Sequence, residues 1–343
     1  MKQEVSKIAK NMGKLHQRPD RRTALVQIAH IGGVIGATSA GAYFAYDGVG
    51  YEERSVSGPR QIRDFRWKDP ESHPKGTFHE WPTMAIAQSS KNPEELTQRA
   101  LMALGGIKRF ISRGDHVAIK PNIGWDRMPI HAANTNPRVV AEVVRQCLQA
   151  GAKQVVVTDA SCNEARRSFQ RSGIWKAAHE AGALVVLPAP HRFRTMRLRG
   201  DLLDEWPVYT PLIEADKLIN IPVAKHHNLS LYTGAMKNWY GILGGRRNRL
   251  HQNIDLSIAD LATFMRPTLT ILDATRVLLR NGPQGGNIAD ARDMHQVVAG
   301  LDEVAIDSYG ASLVGVDPQK VRYLTMGQER NLGKMKLSRV VQV

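Results

Sequence analysis

Hydrophobic and polar positions repeat with two periods along residues 84–313. Short apolar runs of strand length recur at 84–88, 116–119, 154–158, 183–187, 218–221, 269–272 and 296–301. Between most of them lie longer segments whose apolar residues return every three or four positions, the helical period. This predicts helices at about 94–104, 137–149, 164–180 with a break at Gly173, 256–265 and 303–313, and a basic helical tail at 319–331. Asn92-Pro93-Glu94-Glu95 and Asn136-Pro137 read as helix starts, because an Asn oxygen can accept from a free first-turn N–H and Pro has no N–H to lose there. Residues 192–209 read as an antiparallel excursion. Strands alternating with helices predict an α/β fold, a largely parallel mixed sheet flanked by helices.

That pattern also sorts the polar residues. Four clusters each follow an apolar run: Lys120/Asn122, Asp159/Ser161, Lys225/His226/His227 and Asp273/Thr275/Arg276. If their strands are parallel, all four project from the C-terminal edge of the sheet, where open α/β sheets bind ligands. The densest stretch, 220–245, reads as a turn-rich loop carrying Lys225, His226, His227, Thr233, Lys237 and Asn238. Lys120, Lys225, Lys237 and Arg276 suit a carboxylate or phosphate. Asn122, Thr233 and Asn238 join Lys120 and Arg276 as the candidate substrate-binding set. His226, Lys225 and Lys237 are the candidate catalytic groups, since an imidazole moves protons near neutral pH. Asp159, His226 and Asp273 are the candidate ligands of a divalent metal. Plainer roles compete: Asp159 and Asp273 as helix N-caps, the histidines as structural hydrogen-bonding groups, the lysines as solvated side chains, and Asp302 and Asp307 as capping and solubilising groups.

Composition narrows the partners. The apolar content of 42% is that of a globular protein, and the net charge of +15 favours acidic ligands. No basic stripe interleaves with aromatics, and no zinc-finger or RNP-like motif is present, which argues against nucleic acid. Cys147 and Cys162 are too few for a disulfide framework or a four-thiolate cluster. Residues 1–45 read as an export signal or membrane anchor. A basic lead with Arg21-Arg22 and Leu25 precedes a Gly-rich apolar run, and Ala40-Gly41-Ala42 fits a cleavage site. This resembles a twin-arginine signal, although Ala24 and Val26 depart from its usual residues. The twin-arginine export machinery is then an expected partner, the location periplasmic or extracytoplasmic, and the membrane is met only through this segment. Residues 46–82 read as a polar linker and 83–343 as a single α/β domain.

The run KHHNLSLYTGAMKNWYG resembles the hallmark of domain-of-unknown-function family 362, a Lys/His segment followed by T-G-x-x-K-N and a Gly. The match falls on Lys225, His226, Thr233, Gly234, Lys237, Asn238 and Gly241. The strand end at Ile119–Asn122 and the segment Leu301–Gly315 are also similar to that family. The resemblance implies an α/β domain without an established activity. Some relatives carry four closely spaced cysteines for an iron–sulfur cluster; this chain lacks that segment, so no such cluster is expected within it. The leading expectation is an exported enzyme acting on a small anionic substrate, with a divalent metal as its candidate cofactor. The rival is a non-catalytic ligand-binding or redox-accessory protein.

Overall fold

The computed structural model describes residues 64–67, 81–337 and 339–343, all within the unit Glu52–Val343. The export signal or anchor expected at 1–45 lies outside the described residues.

Strand β1 (Met84–Ala87) leads into α1 (Pro93–Ala103), whose N-cap Asn92 accepts from the N–H groups of Glu94 and Glu95. Strand β2 (His116–Pro121) is followed by α2 (Pro137–Gln149), capped by Asn136, and then by β3 (Gln154–Thr158). The helical stretch that follows is two short helices, α3 (Ala165–Arg171) and α4 (Ile174–Glu180). They part at Gly173, whose φ of 75° belongs to the left-handed region that glycine adopts freely. After β4 (Leu184–Val186), β5 (Phe193–Arg197) and β6 (Glu205–Tyr209) form the separate antiparallel ribbon expected from the sequence. Next come β7 (Lys217–Ile221), β8 (Val223–His227), β9 (Leu231–Thr233), the short α5 (Ala235–Asn238) and α6 (Ile254–Phe264). Strands β10 (Leu269–Leu278) and β11 (Ala291–Gly300), helices α7 (Glu303–Leu313) and α8 (Arg322–Glu329), and β12 (Val340–Gln342) complete the described chain.

The main sheet runs β12-β1-β11-β10-β7-β2-β3-β4, with β8 paired to β10 and β9 paired to β8. Strands β4, β3, β2, β7 and β10 are parallel neighbours. Strand β11 runs against β10 and β1, which makes the sheet mixed. The strands carrying Lys120, Asp159 and Asp273 therefore share one direction. Both faces are covered by apolar clusters, one around α1 and α2, the other around α6, α7 and the β5–β6 ribbon. Of the segment read as a linker, Phe65 is buried in the second cluster, and Trp67 donates to the Arg109 carbonyl at 2.8 Å.

Three boundaries differ from the sequence expectation. Residues 223–227 are a strand rather than a loop: β7 and β8 are separated only by Pro222, and both run parallel to β10, along its first and second halves. Strand β10 continues six residues past the expected end because β11 pairs with it to Leu278. Strand β11 itself starts at Ala291, and its half-exposed polar first half hid it from an apolar pattern.

Candidate functional site

The site grows from a polar row inside the sheet. Lys120 of β2 stands opposite Asn220 of β7, and Asn220 opposite Thr270 of β10. Residues in register on parallel neighbours share a face, so three polar side chains line up on the face that α5 and α7 cover. All three are buried, and buried polar groups require partners. Glu303 at the start of α7 accepts from Asn220 at 2.6 Å, Thr270 at 3.2 Å and the Trp239 indole at 3.0 Å. Asn238 donates to Asn220 at 2.8 Å and to the Lys120 carbonyl at 3.3 Å, and it accepts from Asn122 at 3.1 Å. Lys120 pairs with Asp159 at 2.8 Å. Burial pushes the Lys120 amine down, and Asp159 opposes that shift. Asp159 also accepts from the Ile123 N–H at 2.7 Å, so it ties the ends of β2 and β3 together and caps no helix; Glu164 caps α3.

Helix α5 holds the next lysine over this row. The Asp307 carboxylate of α7 accepts from the N–H groups of Ala235 and Met236, satisfying donors that four residues of helix cannot. Asp307 is thus a buried anchor and does not solubilise α7, whereas Asp302 does cap it. A Cβ on Gly234 would collide with the Asp307 carboxylate and the Tyr232 hydroxyl; one on Gly241 would collide with Asp159 and stand 2.6 Å from Lys120 Nζ. The glycines of the T-G-x-x-K-N-x-x-G run are therefore spaces that the carboxylates and Lys120 fill.

Three ammonium groups are brought close. Lys120, Lys225 and Lys237 are 0%, 1% and 7% exposed. Lys225 donates to the Ala133 carbonyl at 2.5 Å and to Asn122 Oδ1 at 3.2 Å. Lys237 Nζ lies 4.5 Å from the centre of the Tyr240 ring, and no described residue accepts a hydrogen bond from it. Thr233 stands opposite Lys225 across the β8–β9 hairpin, and its buried hydroxyl has no partner. Burial lowers the Lys225 amine to about 7 and the Lys237 amine to about 8; Lys237 and Lys120 further depress Lys225. The cluster is therefore rich in donors and poor in acceptors.

Lys120, Asn122, Asp159, Lys225, Thr233, Lys237 and Asn238 thus share one neighbourhood. His226, Asp273 and Arg276 stand elsewhere. Successive strand residues face opposite ways, so His227 rather than His226 shares the Lys225 face. Burial and the nearby lysines push His227 down to about 2. His226 Nδ1 accepts from the Gly282 N–H at 3.3 Å. Asp273 lies within β10, not at a helix start, and accepts from Asn136 N–H at 2.7 Å and from the Thr275 hydroxyl at 2.6 Å. Arg276 pairs with Asp293 at 2.6 Å and lines, with Lys91, Asn136, Asp273 and His295, a separate cleft of about 250 Å³. Among the described residues no three His, Cys, Asp or Glu side chains form a group that could hold a metal ion.

Arg247, Cys162 and Glu303 join the neighbourhood without having been singled out by sequence. Arg247 donates to the carbonyls of Ala160, Ser161 and Tyr240. It lies beyond the expected loop, and its role depends on a fold-back that spacing does not encode. Glu303 reads as an ordinary first-turn acid until the register row beneath it is known.

The family model described as a domain of unknown function, DUF362, matches residues 117–312, more than half of the chain. The chain belongs to the DUF362 family. This DUF362 protein is also 26% identical over 241 residues to a thylakoid-associated protein of Synechocystis sp., a match covering 68% of this chain and 73% of that one. Among solved structures it is similar to a Thermotoga maritima protein (12% identity, TM-score 0.38) and to the lactate racemase apoprotein of Thermoanaerobacterium thermosaccharolyticum (10% identity, TM-score 0.41). Each of these matches covers 66% of this chain, but only 60% and 56% of the two neighbours.

Proposed function

We propose that this DUF362 protein binds a small anion, a carboxylate or phosphate, among Lys225, Lys237 and Thr233. The observation that carries the reading is the Lys237 ammonium: its side chain is buried, a second buried lysine acts on it electrostatically, and it rests on the Tyr240 ring with no hydrogen-bond acceptor among the described residues. Burying a charge without an acceptor is costly. An anion with several oxygens supplies the missing acceptors and offsets the repulsion between the two lysines. Of the carboxylates around the cluster, Asp159 is already engaged by Lys120 and the Ile123 N–H, and Asp255 acts on Lys237 through space without accepting a hydrogen bond from it. The reading requires no metal, and it favours ligand binding over the enzymatic alternative because His226 and Asp273 stand apart from the lysines. Calorimetric titration of inorganic phosphate and of a small dicarboxylate into wild type and Lys237→Met tests it. Saturable binding lost in the variant is expected; equal binding by both proteins refutes it.

We further propose that the chain is exported by the twin-arginine route. Arg21-Arg22, the weakly apolar Gly-rich run and the Ala40-Gly41-Ala42 site support this reading. No described helix is long and apolar enough to cross a membrane. Replacing both arginines by lysine keeps the charge but removes the guanidinium pair, so retention of the variant inside the cell is the expected result. Undiminished export would refute the route.

A further inference from the structure

The loop after β3 places a thiol beside the lysines. Cys162 is exposed, whereas Cys147 is buried in the α2 core. The Cys162 N–H donates to the Gly124 carbonyl at 2.9 Å, and its Sγ accepts from Arg247 Nη2 at 3.7 Å. Arg247 also grips the carbonyls of Ala160 and Ser161, so the sulfur stands on a fixed piece of backbone. A Cβ on Gly124 would stand 3.8 Å from Cys162 Sγ and 3.5 Å from Asn122 Oδ1, the atom that accepts from Lys225, and Arg247, which donates to the sulfur, also donates to the carbonyl of Tyr240, on whose ring Lys237 rests. The thiol thus shares Gly124 and Arg247 as neighbours with the groups that hold Lys225 and Lys237.

A cysteine alone says little. Here two buried groups point independently to a ligand: the Lys237 ammonium without a hydrogen-bond acceptor and the Thr233 hydroxyl without a partner. They mark where the oxygens of an anion would rest, and the nucleophile stands at the rim of that place. We infer that Cys162 is a covalent site, at which the thiol attacks small carboxylates that carry an electrophilic carbon. This rests on the anion-binding reading. In the step, Sγ forms a bond to that carbon, the bond from carbon to its leaving group breaks with the electron pair on the leaving group, and the thiol proton passes to water. The lysines hold the carboxylate and bring the carbon to the sulfur, so reactivity follows from proximity as well as from the thiol.

Iodoacetate and iodoacetamide differ chiefly in the negative charge, and both release iodide as the thioether forms. Full-length protein is labelled with each reagent and the rate at Cys162 is read by peptide mass spectrometry, with the denatured chain giving the intrinsic ratio. At Cys162 the iodoacetate-to-iodoacetamide ratio is expected to exceed the denatured ratio by at least about tenfold. Inorganic phosphate should slow iodoacetate selectively, and Lys237→Met should return the ratio to the denatured value. A native ratio equal to the denatured one overturns the inference. Phosphate calorimetry on Cys162→Ser separates the two readings. If that variant binds phosphate while wild type shows no charge preference in labelling, the covalent site falls and the anion pocket stands. If neither protein binds phosphate, the pocket falls with it.

Discussion

Replacing Lys237 by Met should make the ligand-free protein more stable at neutral pH while removing its anion site. In the unfolded chain the amine titrates near 10.5; in the native protein burial holds it at about 8. The sign follows from proton counts: between those values the unfolded chain binds more protons, so stability rises with pH. Below about 8 the native state carries the full cost of the buried charge. At roughly 1.4 kcal/mol per tenfold, the gap amounts to about 3 kcal/mol. Met fills a similar volume, and no hydrogen bond is lost. The contact with the Tyr240 ring is lost, and it is worth roughly 1 kcal/mol. The variant should therefore gain about 2 kcal/mol at pH 7, with the gain shrinking to nothing or reversing above pH 10.5. Urea unfolding of both proteins at pH 7 and pH 10.5 measures the difference. A variant that is less stable at pH 7, or a difference independent of pH, would refute the account of Lys237 as a charge held without a partner.

Asp159→Asn leaves Lys120 buried without its counter-charge and should cost roughly 3–5 kcal/mol, read from the urea midpoint; a loss under 1 kcal/mol would mean that the pair is not buried as described. Gly241→Ala should destabilise the fold and weaken phosphate binding together, since its methyl competes for the space of Asp159 and Lys120; normal binding in a stable variant would contradict that packing. Burial raises the Asp307 carboxyl to about 8 and that of Glu303 to about 7. Native protons are then held where the unfolded chain has lost them, and stability should fall as pH rises from about 4 to 8. Asp307→Asn should flatten that fall in thermal melts across the window; an unchanged slope would assign it to other groups.

The sequence carried the architecture well where one residue decided a boundary. Asn92-Pro93 and Asn136-Pro137 start helices through cap chemistry that is local, and Gly173 splits a helix through its own φ. The site was half legible. Lys120, Lys225 and Lys237 could be picked because they follow apolar strands or sit in a distinctive run. The grouping could not be, because it depends on register: Lys120 meets Asn220 and Thr270 only through the pairing of three strands distant in sequence. Facing was lost in the same way. With 223–227 read as a loop, nothing told His226 from His227; once it is a strand, the period of two decides for His227. Asp307 escaped because its partners, the N–H groups of α5, lie over seventy positions away.

Strand β10 has a consequence for the order in which the protein can be completed. The lysines, Thr233, Cys162 and Arg247 all lie in the first 250 residues. The strand that carries Lys225, however, pairs with β9 on one side and with β10 on the other, and α5 is anchored by Asp307. A ribosome that has made 250 residues has produced these side chains but neither β10, which flanks the Lys225 strand, nor Asp307, which anchors α5. The nascent chain must wait for residues 269–307 before the backbone of Lys225 and Lys237 is held by β10 and Asp307. A fragment ending at residue 250 should therefore keep Lys225, Lys237 and Thr233 and show no saturable phosphate binding.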